Sequence, residues 1–254
     1  MANILCLGEI LIDMIAKNRN LKSFNRRFGG STANIAMQLV KFGHNISFAG
    51  TIGMDCFGDF LANVLESNSI DTKLLNKSEK HNTSIIFIVE DSETPVFCPY
   101  RDADYHYIFT PELKKTLSQI DLLHTSAFSL TRQPMRKTVL EALKIAKAQN
   151  KLVSIEPNFR KLLAPNDPNA QSVVIDALKY ADIVKPSLDD SKAIFGNSLS
   201  PTEIVKKFEA LNIKNIVLTC GKDGAYYLEK GKVEHDYSNR RSARDKRHRP
   251  GPSS

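Results

Sequence analysis

The sequence has little of what marks secreted, metal-clustered or membrane proteins. No apolar run approaches the roughly 18 residues of a membrane span, and the N-terminus lacks the basic segment of a secretory signal. The cysteines lie too far apart for close metal-ligand spacing or a disulfide framework, and the histidines show no ligand spacing and are not interpreted as catalytic. These residues are Cys6, Cys56, Cys98, Cys220, His44, His81, His106, His124, His235 and His248. The sequence therefore predicts a soluble cytoplasmic protein without a membrane contact.

Net charge is also small in most of the chain. The formal net charge is +7, and +5 of it falls in residues 238–254, where six lysines and arginines accompany a single aspartate. Such a tail can bind phosphate chains nonspecifically, but no aromatic residues interleave with its basic ones and no reading domain adjoins it. These observations argue against a nucleic-acid partner. Composition changes abruptly after Tyr237, which predicts one domain over 1–237 and a disordered basic tail over 238–254.

Hydrophobic residues make up 42% of the chain, enough for a sizeable core. Along the chain, segments with the hydrophobic spacing of strands alternate with segments that have the spacing of helices. Strands are predicted at 3–8, 11–16, 46–50, 84–89, 95–100, 122–126, 152–156, 183–185, 215–219, 225–229 and 232–235. Helices are predicted at 33–42, 57–66, 134–149, 170–180 and 201–211. Repeated β–α–β units indicate an α/β fold, with a doubly wound, mainly parallel sheet and helices on both faces. Ligands of such folds bind at the carboxyl ends of the strands. Hairpin-like pieces at about 11–28 and 84–109 do not fit that sheet, and they predict a small β-lid.

One glycine pair lies between a predicted strand and a helix. The segment Gly29-Gly30-Ser31-Thr32-Ala33-Asn34 allows a ligand to approach the backbone, and the helix N-terminus behind it exposes amide donors. It is neither a Walker loop nor a Gly-x-Gly-x-x-Gly motif. Taken alone, this segment is better explained by an ordinary turn.

Further motifs follow in order along the chain. They are Gly8-Glu9-Ile10-Leu11-Ile12-Asp13, Gly43, Gly53, Asp55-Cys56-Phe57-Gly58, Glu156-Pro157-Asn158-Phe159-Arg160, Lys185-Pro186-Ser187-Leu188-Asp189-Asp190 and Thr219-Cys220-Gly221-Lys222-Asp223-Gly224. From about residue 3 to 236 the sequence resembles the ribokinase–fructokinase, or pfkB-type, family of carbohydrate kinases, departing at Thr32. The resemblance implies a ribokinase-like fold and phosphorylation of a sugar hydroxyl with ATP and Mg²⁺. Fructose is the leading substrate, and a 2-keto-3-deoxygluconate kinase or another sugar kinase of the family is the alternative.

The resemblance also implies roles on the sugar side. Asp13 would accept hydrogen bonds from two sugar hydroxyls, and Gly29, Gly30 and Asn34 would bring donors to the same hydroxyls. Asn158 and Arg160 would lie near the transferred phosphoryl group, where a planar cation with several donors is suited. Arg101 would reach the substrate from the lid, with a solvated lid face as the alternative.

On the nucleotide side the resemblance implies an ATP site. It would comprise Lys185, Ser187, Asp190, Thr219, Gly221 and Gly224. Asp190 would support Mg²⁺ through water, although Ser187 and Asp190 replace the family's Asn and Glu. The resemblance also suggests a homodimer formed through the lid.

One family motif is absent from the 254 residues. Family members have Gly-Ala-Gly-Asp after the equivalent of His235, and its aspartate is the base that takes the sugar proton. Here Asp236 and Tyr237 are followed by the arginine-rich tail, so no catalytic base is identifiable. We therefore expect a chain impaired in phosphoryl transfer. The alternative is a catalytically inactive sugar-binding fragment or pseudoenzyme.

Overall fold

The computed structural model describes residues 1–90, 96–164, 166–229 and 231–236. The strands are β1 (Asn3–Leu7), β2 (Leu11–Ala16), β3 (Asn25–Gly29), β4 (Asn45–Gly53), β5 (Asp71–Ser78), β6 (Ile85–Val89), β7 (Val96–Tyr100), β8 (Leu122–Ser126), β9 (Leu152–Glu156), β10 (Ile183–Val184), β11 (Asn215–Thr219), β12 (Ala225–Glu229) and β13 (Lys232–Asp236). The helices are α1 (Ser31–Lys41), α2 (Cys56–Ser67), α3 (Pro111–Gln119), α4 (Met135–Ala148), α5 (Ala170–Leu178), α6 (Leu188–Phe195) and α7 (Pro201–Glu209). The tail predicted at 238–254 lies outside the described residues.

Nine strands form a large sheet in the order β13-β12-β11-β10-β9-β8-β1-β4-β5. The strands from β11 to β5 run parallel, and β12 and β13 add an antiparallel edge. Helices connect most of the parallel strands, as such crossovers require. The predicted α/β fold with a mainly parallel sheet is confirmed.

Both faces of the large sheet are covered by helices. Alternation along β1 sends Leu5 and Leu7 to the core that contains helices α3 to α7, and Ile4 and Cys6 to the core under α1 and α2. All four side chains are buried, as expected for a central strand of a doubly wound sheet. Within the described residues no helix is long and apolar enough to cross a bilayer.

Four strands form a separate small sheet in the order β3-β2-β6-β7. The β2–β3 and β6–β7 pairs are antiparallel, while β2 and β6 run parallel and join the two pairs. Apolar side chains hold this sheet against the body, with Leu11 and Ile86 packed among Phe128 and Leu163. The small sheet ends at Tyr100. Residues 101–109, which the sequence assigned to the lid, instead turn back into the large core.

The differences from the predicted elements have physical causes. Strand β5 is a largely exposed edge strand with a polar sequence, and so lacks the pattern of a buried strand. Helix α3 carries two leucines in a mostly polar sequence, and three of the four apolar residues of α6 fall together at its end, which leaves the periodicity of both helices weak. Where local chemistry is strong the prediction holds: Ser200 and Glu203 form the capping box expected at the start of α7.

Candidate active site

A cavity of about 310 Å³ opens between the small sheet and the carboxyl edge of the large sheet. The lining residues are Glu9, Leu11, Asp13, Gly30, Ser31, Asn34, Ile86, Ile88, Phe97, Pro99, Phe128, Asn158, Arg160, Leu162 and Leu163. Apolar walls with a few converging polar groups are typical of small-molecule sites. The cavity brings together Asp13, Gly30, Asn34, Asn158 and Arg160, which the sequence analysis named from three separate motifs.

Asp13 points into this cavity from strand β2. Gly29 on β3 pairs with Leu11 and lies diagonally across from Asp13, and a Cβ atom at Gly29 would lie 2.5 Å from Oδ2 of Asp13. A glycine therefore makes room for the carboxylate. Burial raises the pKa of Asp13 from 3.8 to about 6. Among the described residues no group donates a hydrogen bond to this carboxylate, so it can accept bonds from a ligand.

The glycine pair ends where helix α1 begins. Gly30 has φ +100°, and a Cβ atom there would lie 2.5 Å from the carbonyl oxygen of Glu9, so only glycine suits the position. Helix α1 starts at Ser31 without a side-chain cap, and its Thr32 amide donates to Glu9, which leaves the amide of Ser31 as a donor beside the cavity. Asn34 lies in the first turn and adds a side-chain amide. This end of the cavity therefore offers donors beside the acceptor Asp13.

Glu9 is a site residue that the sequence analysis missed. Its buried carboxylate accepts hydrogen bonds from the backbone and hydroxyl of Thr32, both at 3.2 Å, and from the hydroxyls of Ser126 and Ser129, both at 2.6 Å. These bonds join the ends of β1 and β8 to the start of α1. Glu9 therefore fixes the floor of the cavity rather than offering a free carboxylate. No spacing in the sequence indicates these partners, because they come from distant segments.

Arg160 faces the cavity from the segment after β9. Its guanidinium lies 4.0 Å from the centre of the Phe97 ring on β7, a cation–π contact between the body and the small sheet. Asn158 precedes it, and its backbone amide donates to the carbonyl of Glu156 at 2.8 Å. One cation and one side-chain amide thus stand at the carboxyl end of β9, where the predicted phosphoryl group would be.

A second polar group lies at the ends of β9 and β10. Nζ of Lys185 is 3.6 Å from Oε1 of Glu156, and the hydroxyl of Ser187 donates to Oδ2 of Asp190 at 2.5 Å. Burial raises the pKa of Glu156 to about 7 despite the nearby Lys185, and burial also raises the pKa of Asp190. Both carboxyls are thus partly buried near Lys185, with Arg160 also acting on Asp190, and their raised pKa values favour an added cation.

The turn after β11 adjoins this group. Thr219 donates from its amide and hydroxyl to the carbonyl of Pro186, at 2.9 and 3.2 Å. The amide of Cys220 donates to the carbonyl of Gly224 at 2.8 Å, and Gly221 and Gly224 both have positive φ. The structure therefore brings the predicted ATP residues of two motifs side by side, and Asp190 lies close enough to the cavity residue Arg160 to interact with its charge.

Arg101 does not line the cavity. Its side chain is fully buried, and its Nε and Nη2 donate to Oδ2 of Asp104 at 3.0 and 2.6 Å. Nη1 donates to the hydroxyl of Thr131 at 2.6 Å, and the guanidinium lies over the Phe128 ring. The alternative of a solvated lid face is wrong, because the Asp104 partner draws the side chain inward. Arg101 instead supports Phe128 in the cavity wall.

The chain matches known proteins over nearly its whole length. The model of a family described as "pfkB family carbohydrate kinase" matches residues 1–243. A solved structure of fructokinase from Halothermothrix orenii superimposes with a TM-score of 0.86 at 33% sequence identity, covering 93% of this chain and 86% of that chain. The fold therefore agrees with that of a solved fructokinase.

Two curated relatives carry different names. An ATP-dependent 6-phosphofructokinase from Thermoanaerobacterium thermosaccharolyticum is 32% identical over 227 residues, which cover 88% of this chain and 70% of that protein. A probable fructokinase-7 from Arabidopsis thaliana is 30% identical over 244 residues, which cover 91% of this chain and 71% of that protein. The chain thus spans about 70% of the length of both.

Proposed function

Because the chain belongs to the pfkB family of carbohydrate kinases, we propose that it transfers the γ-phosphoryl group of ATP to a hydroxyl of free fructose. One observation carries this proposal: a single cavity holds an unpartnered carboxylate, helix N-terminal donors and an arginine. Sugar hydroxyls both donate and accept, so they need this mixture of groups. The comparisons do not favour the alternatives of a 2-keto-3-deoxygluconate kinase or an inactive fragment.

In the proposed reaction the cavity residues bind and orient the sugar. Asp13 accepts from two vicinal hydroxyls, while the side chain of Asn34 and the amide of Ser31 donate to their oxygens. The reacting hydroxyl oxygen then bonds to the γ-phosphorus as the bond to the β,γ-bridging oxygen breaks and ADP leaves. Arg160 stabilises the charge on the transferred group, and Asn158 donates beside it. The Phe97 ring holds the guanidinium of Arg160 in place.

The proton of the reacting hydroxyl must pass to a base. Glu9 does not suit this role, since four hydrogen bonds already occupy its carboxylate. Asp13 is assigned to hydroxyl binding. The family's Gly-Ala-Gly-Asp segment, whose aspartate would take this proton, does not occur in the 254 residues. Impaired phosphoryl transfer by these 254 residues stays a prediction.

Mg²⁺ fits the polar group at the ends of β9 and β10. Hard oxygen donors suit this ion, which is usually held by one or two carboxylates together with water and substrate phosphates. Glu156 and Asp190 supply two such carboxylates, and their raised pKa values would fall beside a cation. We propose that Asp190 holds the ion through water and that Glu156 lies beside it. When bound, Mg²⁺ neutralises phosphate charge on ATP.

Fructose 6-phosphate is the second candidate substrate, because one relative is named a 6-phosphofructokinase. A sugar phosphate needs a cation for its own phosphate, in addition to the one at the transferred group. Arg160 is the only cation among the described residues that line the cavity, and the opposite walls include Ile86, Ile88 and Leu162. This arrangement favours the unphosphorylated sugar.

Isothermal titration of the 254-residue chain tests the substrate without requiring turnover. Fructose should bind at least about tenfold more tightly than fructose 6-phosphate, ribose or 2-keto-3-deoxygluconate, because the cavity offers hydroxyl partners but one cation. Tighter binding of fructose 6-phosphate would reject fructose in favour of the second candidate.

A coupled assay with ATP and Mg²⁺ on the same sample tests the expected impairment of phosphoryl transfer, which an ordinary kinase rate would contradict.

Sugar affinity should also depend on pH through Asp13. Its carboxylate accepts hydroxyl protons only when ionised, and its pKa in the ligand-free protein is about 6. Affinity should therefore be constant above about pH 7 and fall as the pH drops through 6. About a tenfold loss is expected at pH 5, where roughly a tenth of the carboxyl stays ionised. Titrations between pH 5 and 8 measure this change, and a flat profile would contradict it.

We further propose a homodimer through the small sheet and a location in the cytoplasm. Val96 and Tyr100, at the two ends of β7, leave 44% and 67% of their surface exposed, a pattern suited to a partner surface. Light scattering at several protein concentrations tests the dimer, and Tyr100→Ser should weaken it.

The four cysteines are free, which suits a reducing compartment such as the proposed cytoplasmic location.

A further inference from the structure

Three metal-ligand side chains meet beside the connections between the large and small sheets. His81 lies in the loop between β5 and β6, while Asp102 and His106 follow β7. Nδ1 of His81 lies 2.8 Å from Oδ1 of Asp102, and Nε2 of His106 lies 3.9 Å from the same oxygen. The imidazole rings are stacked with their centroids 3.5 Å apart. Two ring nitrogens thus lie close to one carboxylate oxygen.

The backbone around this cluster is held by its own hydrogen bonds. The second oxygen of Asp102 accepts from the amide of Asn82 at 2.8 Å, and the amide of His81 donates to the Ser78 hydroxyl at 3.1 Å. The carbonyl of His106 accepts from the Thr51 hydroxyl at 3.3 Å. None of the three cluster residues lines the sugar cavity. The backbone of the cluster is therefore held in place, and its three side chains are unused by the proposed kinase reaction.

The distances suit a small divalent ion. A tetrahedral site with bonds of about 2.0–2.1 Å separates its ligand atoms by about 3.3 Å. The nitrogen–oxygen distances of 2.8 and 3.9 Å lie on either side of that value. The two rings are stacked 9° from parallel, and an ion lies in the plane of each imidazole that binds it, so at least one ring has to turn out of the stack to complete the site. We propose that His81, Asp102 and His106 bind one divalent transition-metal ion such as Zn²⁺, with the remaining coordination positions open to water.

The ligand types separate this site from the Mg²⁺ site. Imidazole nitrogens favour zinc and its neighbours, whereas Mg²⁺ favours oxygen donors. The three side chains keep 28–35% of their surface exposed, so an ion can enter from solvent.

A bound ion would join two segments that are distant in sequence. One leads from β5 into the small sheet and the other leads out of β7, so the ion would restrain both connections of β6 and β7 to the body. The sequence analysis found no ligand spacing among the histidines, because only the pairing of β6 with β7 brings His81 beside Asp102 and His106. The proposal does not depend on the identity of the sugar or on kinase activity.

Metal titration of the full 254-residue chain tests the site. Zn²⁺ should bind with one ion per chain at this site and raise the melting temperature, and Co²⁺ should give the visible absorption of a site with nitrogen and oxygen ligands. His81→Gln, Asp102→Asn and His106→Gln should each weaken Zn²⁺ binding at this site by at least about 100-fold, since each removes a ligand. A large excess of Mg²⁺ should not displace Zn²⁺.

The control is His44→Gln, which removes a partly exposed histidine that accepts only from the amide of Ala2 and lies outside the cluster. This variant should bind Zn²⁺ like the parent chain. Circular dichroism and the melting temperature without metal verify that each variant is folded. Zn²⁺ binding that is absent, or unchanged in the three cluster variants, would overturn the proposal.

Discussion

Replacing Asp13 by asparagine should lower the affinity for fructose about 100-fold and leave the affinity for ATP unchanged. The carboxylate can accept from two hydroxyls, whereas the amide keeps one acceptor and directs its NH₂ group at the other hydroxyl. Charge-assisted hydrogen bonds contribute about 1.5–3 kcal/mol each, and about 2.7 kcal/mol corresponds to 100-fold. Isothermal titration of both ligands measures the two affinities. The pH dependence of fructose binding should disappear in the same variant.

The same substitution should stabilise the ligand-free protein. Folding raises the pKa of Asp13 from 3.8 to about 6, so the native state loses stability relative to the unfolded state as the pH rises through this interval. Asparagine has no charge to bury and avoids a cost on the order of 1–3 kcal/mol at pH 7. Asp13→Asn should therefore melt at a higher temperature than the parent at pH 7, with a smaller difference near pH 4. The result separates loss of binding from loss of folding.

Asp59→Asn is the matched control for Asp13→Asn. Asp59 is 63% exposed in its pairing with Lys77, so its replacement should change neither fructose affinity nor melting temperature appreciably. Fructose binding at the parent level in Asp13→Asn would show that this carboxylate does not contact the sugar.

Replacing Asp104 by asparagine should destabilise the fold by about 3–5 kcal/mol, the usual cost of leaving a buried charge without its partner. The guanidinium of Arg101 and the carboxylate of Asp104 have no exposed side-chain surface. The amide would keep one hydrogen bond to the guanidinium but would not balance its charge. Urea unfolding monitored by circular dichroism measures the loss.

A double variant tests the origin of that loss. Arg101→Met with Asp104→Asn removes both charges and should recover much of the lost stability, because no unpaired charge stays buried. Asp176→Asn is the control, since Asp176 pairs with Lys179 on the surface and its loss should cost less than about 1 kcal/mol. A double variant as unstable as Asp104→Asn would indicate that packing, rather than charge, dominates at this position.

Much of the fold could be predicted from local pattern. The strands at 122–126, 152–156 and 215–219 are apolar runs of the length that buried parallel strands require, and the structure has them at these bounds. The helix predicted at 134–149 is α4 in the structure, and its apolar face packs in the large core. Strand β5 was missed because an edge strand keeps polar residues, so its pairing with β4 rather than its composition determines it.

The candidate site could be predicted where motifs follow strand ends. Arg160 follows the carboxyl end of β9, where ligands of parallel sheets bind, whereas Asp13 on β2 and Asn34 in α1 reach the cavity through the small sheet and the helix that follows it. Glu9 and Arg101 depend instead on partners from other segments, which a single sequence does not reveal. Arg101 was expected near the substrate, but the buried Asp104 three residues later determines where its side chain lies.

The small sheet takes its strands from two distant parts of the chain, with Ile12 paired to Ile85. During folding the small sheet is complete only after β6 pairs with β2. Closing the long loop between these strands costs entropy, which is offset only when the strands pair. In the native state the same connectivity makes the small sheet a unit that opens together. Asp13 on β2 and Phe97 on β7 then leave the cavity at once, while Thr219 keeps its hydrogen bonds to Pro186. Sugar affinity therefore includes the free energy of this local opening, and a change that loosens β6 or β7 weakens sugar binding without contacting the sugar.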